Sequence, residues 1–185
     1  MSSFQIHIVE KCKQNDRQAQ MQLYNQYRNG MLVVAFRFVK DTMEAEDIVQ
    51  EAFIRAFSKL DQYQAEVSFG AWLKRIVVNR CIDVLKSKRK RLIELEEHHL
   101  SVVDTDYESD WTIDDGISIE NVKQEIEQLP EKYRYVVMLY LIEGYDHKEI
   151  SEILNISEVA SRTQLSRGKQ KLLNKLKLQK NGTRS

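Results

Sequence analysis

The sequence predicts an all-α protein: two small helical domains joined by an acidic flexible linker, the second domain containing a helix-turn-helix. Helix breakers are sparse, because Pro130 is the single proline and the chain has six glycines. Apolar residues recur at three- and four-residue spacing on both sides of an acidic stretch in which this periodicity fails. We therefore predict domains at 1–95 and 118–180, a linker at 96–117 and a disordered tail at 181–185.

The first domain is predicted to be a helical bundle. Two helices are expected over residues 5–40. The clearest helix covers 43–60, where an apolar stripe begins at Ile48 and repeats as one buried face requires. A loop at 61–68 leads into a further helix, whose apolar stripe begins at Trp72 and runs into a basic end.

The second domain is predicted to end in a helix-turn-helix. A buried helix is expected at 135–142, followed by a helix at 146–154, a tight turn at 155–157 and a last helix from 158 to 178. Ser157 suits the N-cap of that last helix. Two helices joined in this way typically place the second one in the major groove of DNA.

The formal net charge of zero conceals an uneven distribution. Residues 1–96 contain 16 Lys and Arg against 12 Asp and Glu, and residues 132–185 contain 11 against 5. The intervening residues 97–131 contain 1 against 11. Two basic blocks separated by an acidic one indicate two polyanion-binding modules, although such runs also serve as solvated faces. The acidic stretch can mask the basic blocks or act only as a tether.

Composition argues against a secreted or metal-dependent protein. Cys12 and Cys81 lie far apart and have no Cys or His partner at metal spacing, which indicates reduced thiols. With no signal peptide and no apolar run long enough to span a bilayer, we expect a cytoplasmic protein. No metal, cofactor or small-molecule substrate is predicted.

An enzyme, such as a metal-dependent nuclease using the acidic cluster at 104–115, is the less favoured alternative. Metal carboxylates need rigid elements to fix their geometry, and this cluster lies in the least periodic part of the chain. No pair of histidines is placed opposite a nucleophile; the four are His7, His98, His99 and His147. We therefore predict no catalytic residues.

The last helix divides into two faces. The face predicted to pack is small or apolar and consists of Ser161, Leu165, Gly168 and Leu172. The candidates for contacts with bases and phosphates are Arg162, Thr163, Ser166, Arg167 and Lys169. From Val159 to Lys180 the helix has seven Lys and Arg and no acid. Plain helix packing is the alternative interpretation of this pattern.

Two segments of the first domain are candidate binding surfaces. On the helix at 43–60, Asp47, Gln50 and Glu51 fall on the solvent side, which suits a basic protein partner or a merely solubilising face. Residues 74–91 contain eight Lys and Arg against one acid. Aromatic side chains beside cations hold unstacked bases, and the stacking candidates are Tyr63 and Phe69, whereas core packing is at least as good an interpretation for Trp72.

These segments, in this order, resemble the two domains of the extracytoplasmic-function sigma factors. The motifs that resemble region two lie at 45–53, 69–76 and 79–83. The motifs that resemble region four lie at 126–130, 143–150 and 165–167. The resemblance covers roughly residues 10–95 and 118–178, with the acidic stretch in the place of the family's linker.

The resemblance implies an RNA polymerase sigma factor that directs promoter recognition and transcription initiation. Its partners would be core RNA polymerase and promoter DNA, with an anti-sigma factor as a further candidate. The implied polymerase-binding residues are Asp47, Gln50, Glu51 and Phe53. Those implied for the minus-ten element are Tyr63, Ser68, Phe69, Lys74, Arg75, Asn79 and Arg80. Those implied for the minus-thirty-five element are Arg162, Thr163, Ser166, Arg167 and Lys169.

The chain departs from the family pattern at the helix-turn-helix. Val159 and Ala160 stand where a Gly-Thr pair is common, Asn155 stands where a glycine is usual in the turn, and Gly168 replaces a usual alanine. These changes leave the promoter sequence undetermined. The rival hypothesis is a helix-turn-helix regulator that acts without being a polymerase subunit. This hypothesis does not explain the basic-aromatic segment at 63–91.

Overall fold

The computed structural model of the chain describes residues 3–93 and 118–182, with side chains described over 7–90 and 118–177. Every regular element in the described ranges is helical, which confirms the all-α prediction. The chain divides into two compact units, residues 1–99 and 100–185. The predicted linker at 96–117 lies outside the described residues.

The described residues of the first unit form four helices, which are α1 (Ser3–Lys13), α2 (Arg17–Val39), α3 (Thr42–Ser58) and α4 (Phe69–Ile93), with one 3-10 turn at Leu60–Gln62. Asp16 is the N-cap of α2, and its carboxylate accepts hydrogen bonds from the backbone of Gln18 and Ala19. Asp41 is the N-cap of α3, and its carboxylate accepts a hydrogen bond from the backbone N–H of Glu44 at 2.8 Å. Local side chains therefore fix both helix starts.

The core of the first unit lies where α2, α3 and α4 pack on one another. The stripe predicted on α3 is buried, including Ile48, Ala52 and Ala56. The buried face of α4 is shifted from the predicted one, because Val78 and Ile82 are buried whereas Ile76, Val84 and Leu85 are only partly buried. α4 contacts both α2 and α3, so it needs apolar residues over more than one narrow stripe.

Over residues 118–182, the second unit also forms four helices, which are α5 (Ile119–Glu127), α6 (Glu131–Leu141), α7 (His147–Leu154) and α8 (Glu158–Gly182). α7 begins with a capping box between Asp146 and Glu149. Asn155 ends α7 in the left-handed conformation at φ 57°, which an asparagine tolerates. Ser157 caps α8 by accepting from the Ala160 backbone at 3.0 Å, as predicted.

The last helix is longer than the sequence suggested. α8 continues to Gly182, so the predicted tail at 181–185 is wrong at its start. The reason is that residues 173–181 contain no glycine or proline to end a helix. Residues 183–185 lie outside the described part of the chain.

Gly168 marks the closest approach between α8 and α6. A Cβ atom at this position would overlap Cγ2 of Val137, which is fully buried, and would lie 3.3 Å from Cβ of Tyr133. Neither atom belongs to the free end of a flexible side chain. The glycine therefore permits a helix separation that an alanine would not.

We expect Gly168→Ala to lower the free energy of unfolding of the second unit by up to about 2 kcal/mol. Overpacking costs about 1–3 kcal/mol, and the better helix propensity of alanine returns about 1. Gly30→Ala is the matched control, since Gly30 lies inside α2 and its Cβ would meet no atom within 4 Å. That variant should gain about 0.5–1 kcal/mol. Thermal unfolding of both variants checks the prediction, and equal responses would contradict it.

Candidate nucleic-acid and protein interfaces

The helix-turn-helix consists of α7, the turn at 155–157 and α8. On α8, Ser161, Leu165, Gly168 and Leu172 are buried, so the predicted packing face is confirmed. On the opposite face Arg162 is exposed. The remaining predicted DNA-contacting residues are partly exposed and are Thr163, Ser166, Arg167 and Lys169. The unit therefore presents one basic face of α8 to solvent.

Two contacts organise the first turns of this face. Arg162 Nη2 lies 3.2 Å from Glu158 Oε2, and both side chains are about half exposed. The hydroxyl of Thr163 donates to the backbone carbonyl of Val159 at 2.9 Å. An exposed ion pair of this kind contributes at most about 1 kcal/mol. Arg162 can thus exchange its carboxylate partner for a base edge or a phosphate at little cost.

A polar contact ties α7 to the packed side of α8. Nδ1 of His147 lies 2.9 Å from Oγ of Ser161, which satisfies a fully buried hydroxyl. The imidazole also stacks on Tyr140, with ring centroids 5.1 Å apart, and Lys169 Nζ lies 5.3 Å from the centre of the Tyr140 ring. Sequence reasoning gave His147 no such role, because its partner is fourteen residues away.

Burial lowers the pKa of His147 from its usual 6.5. The charge of Arg162 lowers the pKa further, Asp146 and Glu158 raise it, and Lys169 lowers it. The folded second unit therefore disfavours the imidazolium form.

This pKa shift predicts a pH-dependent stability. The unfolded chain binds the His147 proton more tightly than the folded chain, so the stability from neutral His147 is complete above about pH 6.5 and is lost as the pH falls through the lower folded pKa. We expect His147→Gln to flatten the loss of stability of the second unit between about pH 7 and 5. Urea unfolding at several pH values checks this, and an unchanged slope would contradict it.

The acidic face of α3 is exposed as predicted, with Asp47, Gln50 and Glu51 all at the surface. Phe53 is different, because its side chain is 2% exposed. Its ring packs edge-on against Tyr24, with centroids 4.8 Å apart. This burial fits the apolar stripe predicted for α3, and the role of Phe53 in polymerase binding stays a prediction.

An open groove runs beside the acidic face, between α2 and α3. It has a volume of about 520 Å³ and is lined by Arg17, Gln20, Met21, Tyr24, Gln50, Phe53, Ile54 and Phe57. Met21 and Ile54 are largely exposed, at 59% and 69%. Sequence reasoning missed both residues, although an apolar residue outside the buried stripe of α3 was a usable signal for Ile54. Phe53 contributes to the lining without being an exposed contact.

Ion pairs join this acidic face to the basic helix α4. Nε of Arg80 lies 2.5 Å from Oε2 of Glu51, and Nζ of Lys88 lies 2.6 Å from Oε2 of Glu44. The hydrogen bond from Arg80 to Glu51 raises the pKa of the guanidinium, and burial opposes this. The structure thus links a predicted polymerase-binding residue to a predicted DNA-binding residue, a contact that spacing along the sequence did not reveal.

The loop before α4 is held by an aromatic cluster. Tyr63 and Phe69 are buried, at 5% and 0% exposure, so the expectation that they are exposed stacking platforms is wrong. The Tyr63 hydroxyl donates to the Val67 carbonyl at 2.7 Å, and its ring lies 5.2 Å from that of Trp72. These rings pack on one another because the loop folds back over the start of α4. Trp72, favoured as core, is partly exposed.

The polar candidates around this loop are accessible. Ser68 and Asn79 are exposed, and Ser68 also caps α4 by accepting from the Ala71 backbone at 3.2 Å. The cationic candidates are partly exposed and are Lys74, Arg75 and Arg80. A polar and basic surface therefore surrounds a rigid aromatic core.

The described residues form neither a metal-binding cluster nor a membrane-spanning helix. Within 3–93 and 118–182, no group of three or more His, Cys, Asp or Glu side chains is arranged to hold a metal ion. None of the helices in the same ranges is long and apolar enough to cross a bilayer. The acidic cluster at 104–115 lies outside the described residues.

Family models match both units. A model described as Sigma-70 region 2 matches residues 23–91, and one described as Sigma-70, region 4 matches residues 119–172. The chain is similar to the ECF RNA polymerase sigma factor SigW of Bacillus subtilis, with 30% identity over 91% of this chain and 95% of that protein. It is also similar to the ECF RNA polymerase sigma-E factor of Escherichia coli K12, with 26% identity over 91% and 92%.

Solved structures share the fold. CnrH, solved with the cytosolic domain of CnrY, aligns with a TM-score of 0.56 and 22% identity over 94% of this chain and 97% of that one. The sigma factor RpoE of Bartonella quintana, solved with the anti-sigma factor NepR, aligns with a TM-score of 0.55 and 19% identity over 85% and 96%. At these identities the likeness concerns the fold alone.

Proposed function

Because the chain belongs to the extracytoplasmic-function branch of the sigma-70 family, it is an RNA polymerase sigma factor, and we propose that its two units share promoter recognition. The first unit binds core polymerase and the minus-ten element, and the second binds the minus-thirty-five element. In this proposal the chain acts in the cytoplasm as a regulatory subunit and leaves catalysis to core polymerase. An anti-sigma factor, the class of partner seen with the Bartonella protein, is a further candidate partner.

Core polymerase binds the acidic face of α3 in this proposal. Asp47, Gln50 and Glu51 are exposed there beside the open groove. An acidic rim next to exposed apolar side chains suits a basic helical partner, since charge steers the encounter and apolar burial holds the complex. Phe53 contributes indirectly, because its ring packs against Tyr24 and so fixes the position of the groove wall.

The minus-ten element binds the start of α4. Ser68 and Asn79 offer exposed hydrogen-bonding groups for an extruded base, and Lys74, Arg75 and Arg80 supply the positive charge that a strand backbone requires. Tyr63 and Phe69 shape the loop from within. The partly exposed Trp72 takes the stacking position that the sequence assigned to these two rings.

The minus-thirty-five element binds the outward face of α8, and this face is the observation that carries the proposal. A helix that buries small and apolar residues on one side and presents Arg162, Thr163, Ser166 and Arg167 on the other suits the major groove. Lys169 and the later lysines lie where phosphates would be tracked.

Reconstitution with core polymerase tests the function. We expect the full chain to co-purify with core polymerase and to direct transcription from a subset of genomic fragments that core polymerase alone does not use. The rival regulator would bind specific duplexes by itself and would not co-purify with core polymerase. Specific duplex binding without co-purification would contradict the proposal that the first unit binds core polymerase and the minus-ten element while the second binds the minus-thirty-five element.

A further inference from the structure

Val159 is an exposed aliphatic residue in the first turn of α8. Its side chain is 71% exposed, and its neighbours in the chain are Glu158, which is exposed, and Ala160, which is partly so. A valine there gains nothing from burial within the unit and has a lower helix propensity than alanine. Folding of the described unit therefore does not account for the residue.

The helical position of Val159 places it within the predicted DNA-contacting face. At about 100° per residue, it projects within about 40° of Thr163 and about 20° of Ser166. The same projection puts it about 180° from Gly168, which packs against α6. Val159 is thus central on the outward face and lies at its N-terminal end.

The contacts around Val159 leave its isopropyl group accessible. Arg162 is drawn towards Glu158, on one side of the valine, by the ion pair at 3.2 Å. The Thr163 hydroxyl donates to the carbonyl of Val159 itself, so that donor is directed at the backbone. At the N-terminal end of the outward face, the apolar isopropyl group of Val159 is therefore accessible to a partner.

We propose that Val159 is a specificity-determining residue that contacts the 5-methyl group of a thymine in the minus-thirty-five element, an inference that rests on the proposed binding of α8 to that element. In helix-turn-helix proteins the N-terminal residues of the second helix contact base edges. The thymine methyl is the apolar group that the major groove offers, and small apolar side chains recognise it. A protein partner at this position is the competing occupant.

The test uses the full chain with core polymerase and a pool of promoter duplexes whose minus-thirty-five element is randomised. For the parent holoenzyme, we expect thymine to be favoured at one position, and Val159→Ala to reduce that preference about fourfold, the value of roughly one buried methylene. Alanine favours the helix, so the variant should fold. Ile119→Ala is the matched control, because Ile119 on α5 is 68% exposed and should leave the preference unchanged.

A change in the DNA that removes one methyl group completes the test. Replacing the preferred thymine by deoxyuridine removes only the methyl group. This replacement should weaken promoter binding by the parent holoenzyme about fourfold and leave promoter binding by the Val159→Ala holoenzyme unchanged. An unchanged base preference in the variant, or an equal uridine penalty in both proteins, would overturn the inference alone. A parent holoenzyme that selects no upstream sequence would instead overturn the proposed role of α8 and the inference with it.

Discussion

Asp47→Lys is expected to weaken association with core polymerase by about 2 kcal/mol or more, which is roughly thirtyfold. The reversal places a cation on an exposed acidic face that we propose meets a basic partner. Lysine is a good helix former and Asp47 lies on the solvent side of α3, so the fold should survive. Circular dichroism checks the fold, and a binding titration with labelled core polymerase measures the loss.

The control for this reversal is Glu10→Lys on α1. Glu10 is exposed and pairs only with Lys13 within the described residues, at 2.9 Å, so its loss should cost little. Both variants change the net charge by the same amount. If the two bind core polymerase equally well, the acidic face of α3 is only a solubilising surface.

Arg162→Ala is expected to weaken promoter binding by the holoenzyme by about 1–3 kcal/mol and to relax sequence preference at one base pair. The guanidinium is exposed on the outward face of α8 and, among the residues that the structure describes, forms a surface ion pair with Glu158. Arg167→Ala should act at a neighbouring base pair. Competition binding with single-base variants of a selected promoter measures both effects.

Lys177→Ala provides the comparison for Arg162→Ala. Lys177 is an exposed cation on the same helix, about four turns further along. If it meets only phosphate, its loss weakens all duplexes alike and reduces the salt dependence by about one unit of slope. Wild-type promoter selectivity in Arg162→Ala and Arg167→Ala would show that this face is wrongly assigned.

Local pattern in the sequence was enough to predict several elements. The α3 stripe, the turn between α7 and α8 and the packed face of α8 follow from spacing and capping, because each depends on residues within a few positions of one another. The exposure of Asp47 and Arg162 follows from the same periodicity. The sequence therefore predicted which side chains face solvent on those helices that have one buried face and one exposed face.

Tertiary packing decided the positions that were wrong or missed. Tyr63 and Phe69 are buried because a loop, to which no periodicity applies, folds over the start of α4. Val159 was overlooked as a surface residue because apolar character normally indicates a core position. Each case depends on which neighbour arrives from elsewhere in the chain, and spacing does not contain that information.

If polymerase and the minus-ten strand bind as proposed, the ion pair between Glu51 and Arg80 couples the two binding surfaces of the first unit thermodynamically. A partner that recruits Glu51 leaves Arg80 with an uncompensated charge, which a phosphate can then neutralise. Linkage is reciprocal, so a DNA strand bound to Arg80 must raise the affinity of Glu51 for the polymerase by the same factor by which polymerase raises the affinity of Arg80 for the strand. One shared carboxylate can in this way make polymerase and single-stranded promoter DNA bind cooperatively to a unit of four helices.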